Sequence, residues 1–213
     1  MTPEPHFELS FASGFEEDTF KGIAEDLRAG GAEVVMKRRP PEGPYAFLEW
    51  LIPTAVILVI SYLRSFSEET GKLHAQALHK ALPKLWSKVF GPKPEITYTI
   101  VGPRGNLGSQ VFSHAVSVTM KRNDGGEVIL LFPSATSLED FSLAVDRFIE
   151  LMRKHYTLGG TDPLTRIMAL ISYLDHPNFQ ALVYMNPETK SLELIDYVGS
   201  SQARKLTTHQ RPQ

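Results

Sequence analysis

The feature that most constrains the fold is the apolar run Leu51–Leu63, which reads LIPTAVILVISYL. At 13 residues it is too short for a membrane-spanning helix, which needs about 20 apolar residues. Its centre, Ala55–Ile60, is continuous and mostly β-branched. Such runs are typical of strands that are covered by helices on both faces of a parallel sheet. We therefore predict a central buried β-strand at Ala55–Ile60.

A membrane-associated segment over Leu48–Leu63 is the alternative interpretation. Glu49 lies inside that segment and Pro53 near its start, and neither residue suits a helix in lipid. Residues Met1–His6 contain two prolines and a glutamate, without the basic start and apolar run of a secretory signal. The chain has no cysteine, which suits the reducing cytosol. We expect a cytoplasmic protein.

Strands and helices alternate on both sides of this run. The hydrophobic periodicity predicts two strands and two helices before it, the second helix short, and a long helix after it: Phe7–Ala12, Glu16–Ala29, Ala32–Lys37, Tyr45–Leu51 and Phe66–Phe90. A β-α-β-α-β-α order implies crossover connections and a parallel α/β sheet. We predict that this unit, flavodoxin-like in its topology, spans residues 1–91.

The composition changes at Gly91–Pro94, where two prolines in three residues end the helix. Two turn signals follow, at Asn123–Gly126 and Asn186–Lys190, each between strand-like runs. They predict antiparallel hairpins in a smaller α+β unit that also contains two helices. We assign residues 92–199 to this unit and 200–213 to a disordered polar tail.

Charge and motifs exclude several functions. The net charge is −2, so nucleic acid is not an expected partner. Without cysteine there is no thiolate metal site and no cysteine nucleophile. His74 and His79 are five residues apart, whereas metal-binding pairs on a helix are three or four apart. The glycine-rich stretch 102–108 fits neither the P-loop nor the dinucleotide pattern. We expect no metal and no cofactor.

Two segments that follow predicted strands are candidates for a binding site, because ligands of open α/β sheets bind beyond the carboxyl ends of the strands. The segment 61–69 follows the buried strand, and its carboxylates would face that crevice, although they also suit a helix N-terminus. The other segment is a basic cluster that would attract an anion, or simply be a solvated loop entry: Lys37, Arg38 and Arg39.

The first 90 residues resemble a TIR domain. The resemblance lies in a strand reading roughly Phe-x-Ser-Phe (Phe-Glu-Leu-Ser-Phe in this chain), an acidic turn, a helix that ends in glycine, and an apolar strand that ends in serine. A tyrosine, a serine, an aromatic residue and a glutamate then follow. In this chain these features are Phe7–Phe11, Glu17, Asp18, Gly31, Ser61, Tyr62, Ser65, Phe66 and Glu69.

The resemblance implies a role for Glu69, with Glu68 as the second candidate. In enzymatic TIR domains the matching glutamate assists cleavage of the nicotinamide–ribose bond of NAD or synthesis of a cyclic nucleotide. A carboxylate can hold ribose hydroxyls and stabilise an oxocarbenium-like centre. Lining of the substrate pocket is the role implied for Ser61, Tyr62, Ser65 and Phe66.

The leading hypothesis is therefore a TIR-like, nucleotide-binding signalling or defence module, with NAD cleavage through Glu69 as its enzymatic form. A second hypothesis is a non-catalytic interaction module that docks a protein partner or a copy of itself through hairpin strands or the long helix. A third is a membrane-associated protein that uses Leu48–Leu63.

Overall fold

The structure is a computed structural model. It describes residues 5–39, 56–60, 69–96, 112–122, 124–158, 161–169, 180–195 and 204–205. Within these ranges the chain forms eight strands and four helices, in the order β1 (Phe7–Ala12), α1 (Asp18–Ala29), β2 (Val34–Arg39), β3 (Val56–Ile60), α2 (Glu69–Phe90), β4 (Phe112–Lys121), β5 (Glu127–Pro133), α3 (Leu138–Leu158), α4 (Pro163–Met168), β6 (Ala181–Met185), β7 (Leu192–Ile195) and β8 (Arg204–Lys205).

All eight strands belong to one mixed sheet in the order β2-β1-β3-β4-β5-β6-β7-β8. Three neighbouring pairs are parallel, β1–β2, β3–β4 and β5–β6, and the other pairs are antiparallel. The α/β class is thereby confirmed. Both predicted hairpins are also confirmed, as the pairs β4–β5 and β6–β7.

The direction of β3 differs from the prediction of a parallel N-terminal sheet. β3 is the predicted central strand, but it runs antiparallel to β1, with Phe7 opposite Ile60 and Phe11 opposite Val56. An apolar β-branched run indicates burial and leaves the strand direction open. The last residue of β2 and the first residue of β3 both lie beside the carboxyl end of β1. The connection between β2 and β3 therefore needs no crossover.

One face of the sheet carries α1, α2 and α3. Alternate residues of the strands point towards these helices and form one apolar core, for example Leu9, Leu58, Val118, Leu130 and Val183. Each fully buried side chain of this kind contributes roughly 1.5–3 kcal/mol. A smaller buried cluster lies on the opposite face, around Ile129, Leu131 and Leu182.

Residues 56–60 of the apolar run that suggested a membrane segment are part of the sheet. Val56–Ile60 forms β3, with Val56, Leu58 and Ile60 buried. Of the helices that the structure describes, none has the length and apolarity needed to cross a bilayer. Residues 56–60 therefore form a buried strand and not part of a membrane helix.

The sheet is continuous across the predicted boundary at residue 91, because β3 pairs with β4. The two predicted units, 1–91 and 92–199, thus share one sheet, and their division stays a prediction. Arg204 and Lys205 were placed in a disordered tail, but these two residues form β8 on the outer edge of β7. An edge strand presents unpaired backbone N–H and C=O groups. Pairing with them uses only backbone atoms, so a polar segment can add a strand there as readily as an apolar one.

The packing of α1 on α2 depends on Gly30. A Cβ atom at this position would lie 2.6 Å from Ala77 Cβ and 2.7 Å from the carbonyl oxygen of Leu73. We expect Gly30→Ala to lower the free energy of unfolding by about 1–3 kcal/mol, because the added methyl group forces the helices apart. Gly14→Ala is the matched control, since nothing lies within 4 Å of its added Cβ. Equal stability of the two variants in urea unfolding would contradict the close approach.

Candidate functional site

The predicted basic cluster lies at the end of β2. Lys37 and Arg39 are opposite Ser10 and Ala12, at the end of β1. Lys37 Nζ is 4.0 Å from Glu8 Oε1, and Arg38 donates a hydrogen bond to the carbonyl oxygen of Phe15 at 3.4 Å. Lys37 and Arg38 thus contact the surface of β1 and the turn after it.

Of the predicted acidic segment 61–69, the structure describes Glu69, which lies at the other end of β1. Glu69 begins α2, and His74, in the next turns, packs its ring 4.6 Å from that of His6 and 6.3 Å from that of Phe7. The N-terminal part of α2 therefore lies where β1 begins. The remaining predicted residues of this segment lie outside the described residues: Ser61, Tyr62, Ser65, Phe66 and Glu68.

Glu69 and the basic cluster are therefore not brought together. One lies at the start of β1 and the other at its end, and a six-residue strand spans roughly 17 Å between its ends. The expectation of a shared crevice was wrong, because it required β3 to run parallel to β1. A catalytic role of Glu69 stays a prediction.

A cavity of about 290 Å³ lies at the carboxyl ends of the parallel strands β5 and β6. We call it the inner cavity. Its wall is mostly apolar, and its polar groups belong to Ser134, Thr136 and Asp140. The lining residues are Leu131, Phe132, Pro133, Ser134, Ala135, Thr136, Asp140, Ala144, Met185 and Pro187.

The loop between β5 and α3 shapes this cavity, and hydrogen bonds fix its backbone. Ser137 caps α3, because its Oγ accepts a hydrogen bond from the amide of Asp140 at 3.0 Å. Thr136 Oγ1 donates to the carbonyl oxygen of Pro133 at 2.7 Å. Trp86 of α2 donates its indole N–H to the carbonyl oxygen of Thr136 at 2.8 Å. The cavity wall is thus supported by a neighbouring helix.

A second cavity, of about 240 Å³, lies between α3 and the start of β7. We call it the basic cavity, because three cationic side chains line it against one carboxylate, that of Glu150. The lining residues are Arg147, Glu150, Leu151, Lys154, Thr189, Lys190, Ser191 and Leu192.

One face of α3 lines both cavities. Asp140 and Ala144 line the inner cavity, and Arg147, Leu151 and Lys154 line the basic cavity. These positions are spaced by four, three, four and three residues, which places them on one side of a helix. The cavities meet at an ion pair, since Lys190 Nζ lies 2.5 Å from Asp140 Oδ1. We call the two cavities together the α3 groove.

The turn between β6 and β7 forms the opposite wall of the groove, and Asn186 organises it. The side-chain oxygen of Asn186 accepts hydrogen bonds from the amides of Glu188 and Thr189, at 2.9 and 3.2 Å. Its carbonyl oxygen accepts one from the amide of Lys190 at 2.9 Å. Lys190 has φ 51°, in the left-handed region that ordinarily favours glycine or asparagine.

A buried carboxylate anchors Asn186 from behind. Glu193, which is buried, accepts hydrogen bonds from the Asn186 side-chain amide at 2.9 Å and from the Tyr184 hydroxyl at 2.7 Å. Burial, together with the adjacent Glu193, raises the pKa of Tyr184 to about 12. Tyr184 therefore remains a neutral donor through the physiological range.

Both carboxylates along the groove stay ionised at neutral pH. The hydrogen bond from Lys190 holds the pKa of Asp140 below its ordinary value, and Ser137 contributes to the same effect. The hydrogen bond from Arg153 lowers the pKa of Glu150. Asp140 therefore faces the inner cavity as a carboxylate, which accepts hydrogen bonds and donates none.

A second polar cluster, His155, Asp162 and Thr165, has residue types found in catalytic sites, but its geometry is that of a helix cap. Asp162 Oδ1 accepts the amides of Leu164 and Thr165, at 2.9 and 3.1 Å, at the start of α4. Its Oδ2 lies 2.5 Å from Thr165 Oγ1 and 3.1 Å from His155 Nδ1. The described residues contain no group of three or more side chains able to hold a metal ion.

Comparisons with known proteins do not identify the chain. Protein-family models, curated proteins and solved structures all gave no match. The TIR resemblance therefore stays a prediction.

Sequence reasoning missed the residues of the groove, above all Asp140, Arg147, Lys154 and Lys190. One signal was present in the sequence: α3 carries charged residues at 140, 147 and 154, which are seven residues apart and so lie along one side of the helix. The expectation that ligands bind beyond the carboxyl ends of strands concerned only strands of the N-terminal unit. The parallel pairing of β5 with β6, which creates the inner cavity, joins strands from two different predicted hairpins.

Proposed function

We propose that the protein is a small-molecule-binding module whose ligand occupies the inner cavity. The observation that carries this proposal is the place of the cavity, at the carboxyl ends of two adjacent parallel strands and beside the loop that leads into α3. Ligands of α/β sheets bind in such crevices. With the adjoining basic cavity, the groove falls within the usual range of ligand sites, about 300–1000 Å³.

The lining favours an uncharged, flat body that carries hydroxyl groups, as a nucleoside does. Pro133, Ala135 and Pro187 supply the accessible apolar surface for a ring system. The Asp140 carboxylate accepts hydrogen bonds from hydroxyl groups, and Thr136 lies on the same wall. These are the interactions that a base and a ribose require.

Binding without conversion suits this cavity better than catalysis. Of its described lining residues, Asp140 alone is ionisable, and it is already engaged by Lys190. General acid–base or nucleophilic catalysis needs a second group within hydrogen-bond reach. A module that binds a nucleoside-class ligand and leaves it unchanged would serve as a sensor in signalling.

Titration calorimetry with adenosine, guanosine, cytidine and uridine tests this proposal. We expect at least one of them to bind, and Asp140→Ala to weaken that binding by about 10-fold or more, because a hydrogen bond to a charged group contributes about 1.5–3 kcal/mol. Asp18→Ala is the matched control, since it removes a carboxylate from an exposed pair with Lys21 on α1. The Asp18→Ala variant should bind the nucleoside with the affinity of the wild type.

Two outcomes would contradict the proposal. One is the absence of binding by the wild-type protein at millimolar concentrations of every nucleoside. The other is binding that Asp140→Ala leaves unchanged. Parallel incubation with NAD, followed by measurement of free nicotinamide, tests the separate prediction that Glu69 is catalytic.

A further inference from the structure

We infer that the ligand of the α3 groove carries a phosphate group and that the basic cavity is the subsite for this group. The ligand class is therefore a phosphorylated nucleoside, with its uncharged body in the inner cavity. This inference rests on the proposed function, because it assigns the second half of the same groove.

The first support is continuity along α3. Asp140 and Arg147 are seven residues apart on one face of the helix, a rise of about 10 Å. Asp140 lines the inner cavity and Arg147 the basic cavity. A single small molecule with a charged arm is long enough to reach from one residue to the other.

The second support is the charge of the basic cavity. Its one carboxylate, Glu150, is already held by Arg153 through two contacts of 2.9 Å and lies 3.4 Å from Lys154. Arg147 makes no hydrogen bond or ion pair with any residue in the described part of the chain. Its guanidinium group is therefore available, and its planar fork matches two oxygens of a phosphate group.

The third support is the conformation of Lys190. Its left-handed backbone is one that an L side chain rarely adopts, and such residues often mark ligand sites. The Asn186 turn holds the Lys190 ammonium where the two cavities meet, 2.5 Å from Asp140. An ammonium group has three donors, so Lys190 can keep its contact with Asp140 and also donate to a phosphate oxygen.

Titration calorimetry with adenosine and adenosine 5′-monophosphate tests the inference, with the other nucleoside–monophosphate pair used if a different base binds better. We expect the monophosphate to bind the wild-type protein at least 10-fold more tightly than the nucleoside. The double variant Arg147→Ala/Lys154→Ala should lose this preference and keep its affinity for the nucleoside. Lys21→Ala/Lys72→Ala removes the same charge from exposed positions and should keep the preference.

The outcomes separate this inference from the proposed function. If nucleoside and monophosphate bind the wild type equally, the phosphate subsite is overturned and the inner cavity stands. If neither ligand binds, the phosphate subsite and the proposed ligand site in the inner cavity are both overturned. A preference that survives in Arg147→Ala/Lys154→Ala, or that is lost equally in the control, also overturns the subsite.

Lys190→Gly provides a variant whose folding is not at risk, because glycine adopts the left-handed conformation freely. We expect thermal stability at least equal to that of the wild type, together with a several-fold loss of monophosphate affinity. Unchanged monophosphate affinity in this variant would overturn the assignment of Lys190 to the phosphate subsite.

Discussion

Replacing Phe141 with alanine is expected to lower the free energy of unfolding by about 3–5 kcal/mol. Phe141 of α3 is fully buried. Its ring centroid lies 4.5 Å from that of Phe132 in β5 and 6.1 Å from that of Phe90 in α2. The substitution would leave a cavity where three elements meet, because their backbones cannot close over the lost ring. Urea-induced unfolding, followed by circular dichroism, measures this loss.

Leu138→Ala provides the control on the same helix. Leu138 begins α3, and 37% of its surface is exposed, so we expect a change of about 0.5 kcal/mol or less. If Phe141→Ala is no more destabilising than Leu138→Ala, α3 does not pack on the sheet as described. The walls of the α3 groove would then be in question as well.

Asp162→Ala is expected to cost about 3 kcal/mol or more. The variant loses the cap of α4, which contributes up to about 2 kcal/mol. It also removes the Oδ2 acceptor of the Thr165 hydroxyl, and a hydrogen bond to a charged group contributes about 1.5–3 kcal/mol. Asp162→Asn is the matched variant, because asparagine caps helices about as well as aspartate. Urea unfolding at pH 7 should find it much closer to the wild type.

The same pair of variants has a pH signature. Burial raises the pKa of Asp162, but the hydrogen bonds from Thr165 and His155 outweigh it and lower the pKa below the ordinary value. A lowered carboxyl pKa stabilises the fold above the unfolded-state pKa of about 3.9, and that contribution is lost as the pH falls through the folded-state value. The stability difference between wild type and Asp162→Asn should therefore shrink from pH 7 to pH 3. An equal difference at both pH values would contradict this account.

Much of the fold could be predicted from local patterns. The mostly β-branched run at Ala55–Ile60 predicted a buried strand, because few other elements bury six consecutive apolar residues. The turn residues after Lys121 predicted a hairpin, and Gly125, at φ 88°, adopts the conformation that they require. These features depend on short stretches of chain, where residue type and backbone geometry are tightly linked.

Strand direction could not be predicted in the same way. Parallel and antiparallel neighbours bury Val56–Ile60 equally well, so the composition of the run does not distinguish between them. The predicted site depended on that direction, because it required residues after β2 and residues after β3 to meet. The α3 groove in turn depends on the pairing of β5 with β6, which lie about 50 residues apart in the sequence.

A crystal structure of the protein with adenosine 5′-monophosphate, or with the best-binding nucleotide, tests the central claim most directly. The account predicts electron density for the base in the inner cavity, against Pro133 and Pro187, and for the phosphate group within hydrogen-bond distance of Arg147 and Lys154. Density for the nucleotide beside Glu69, with an empty α3 groove, would contradict it.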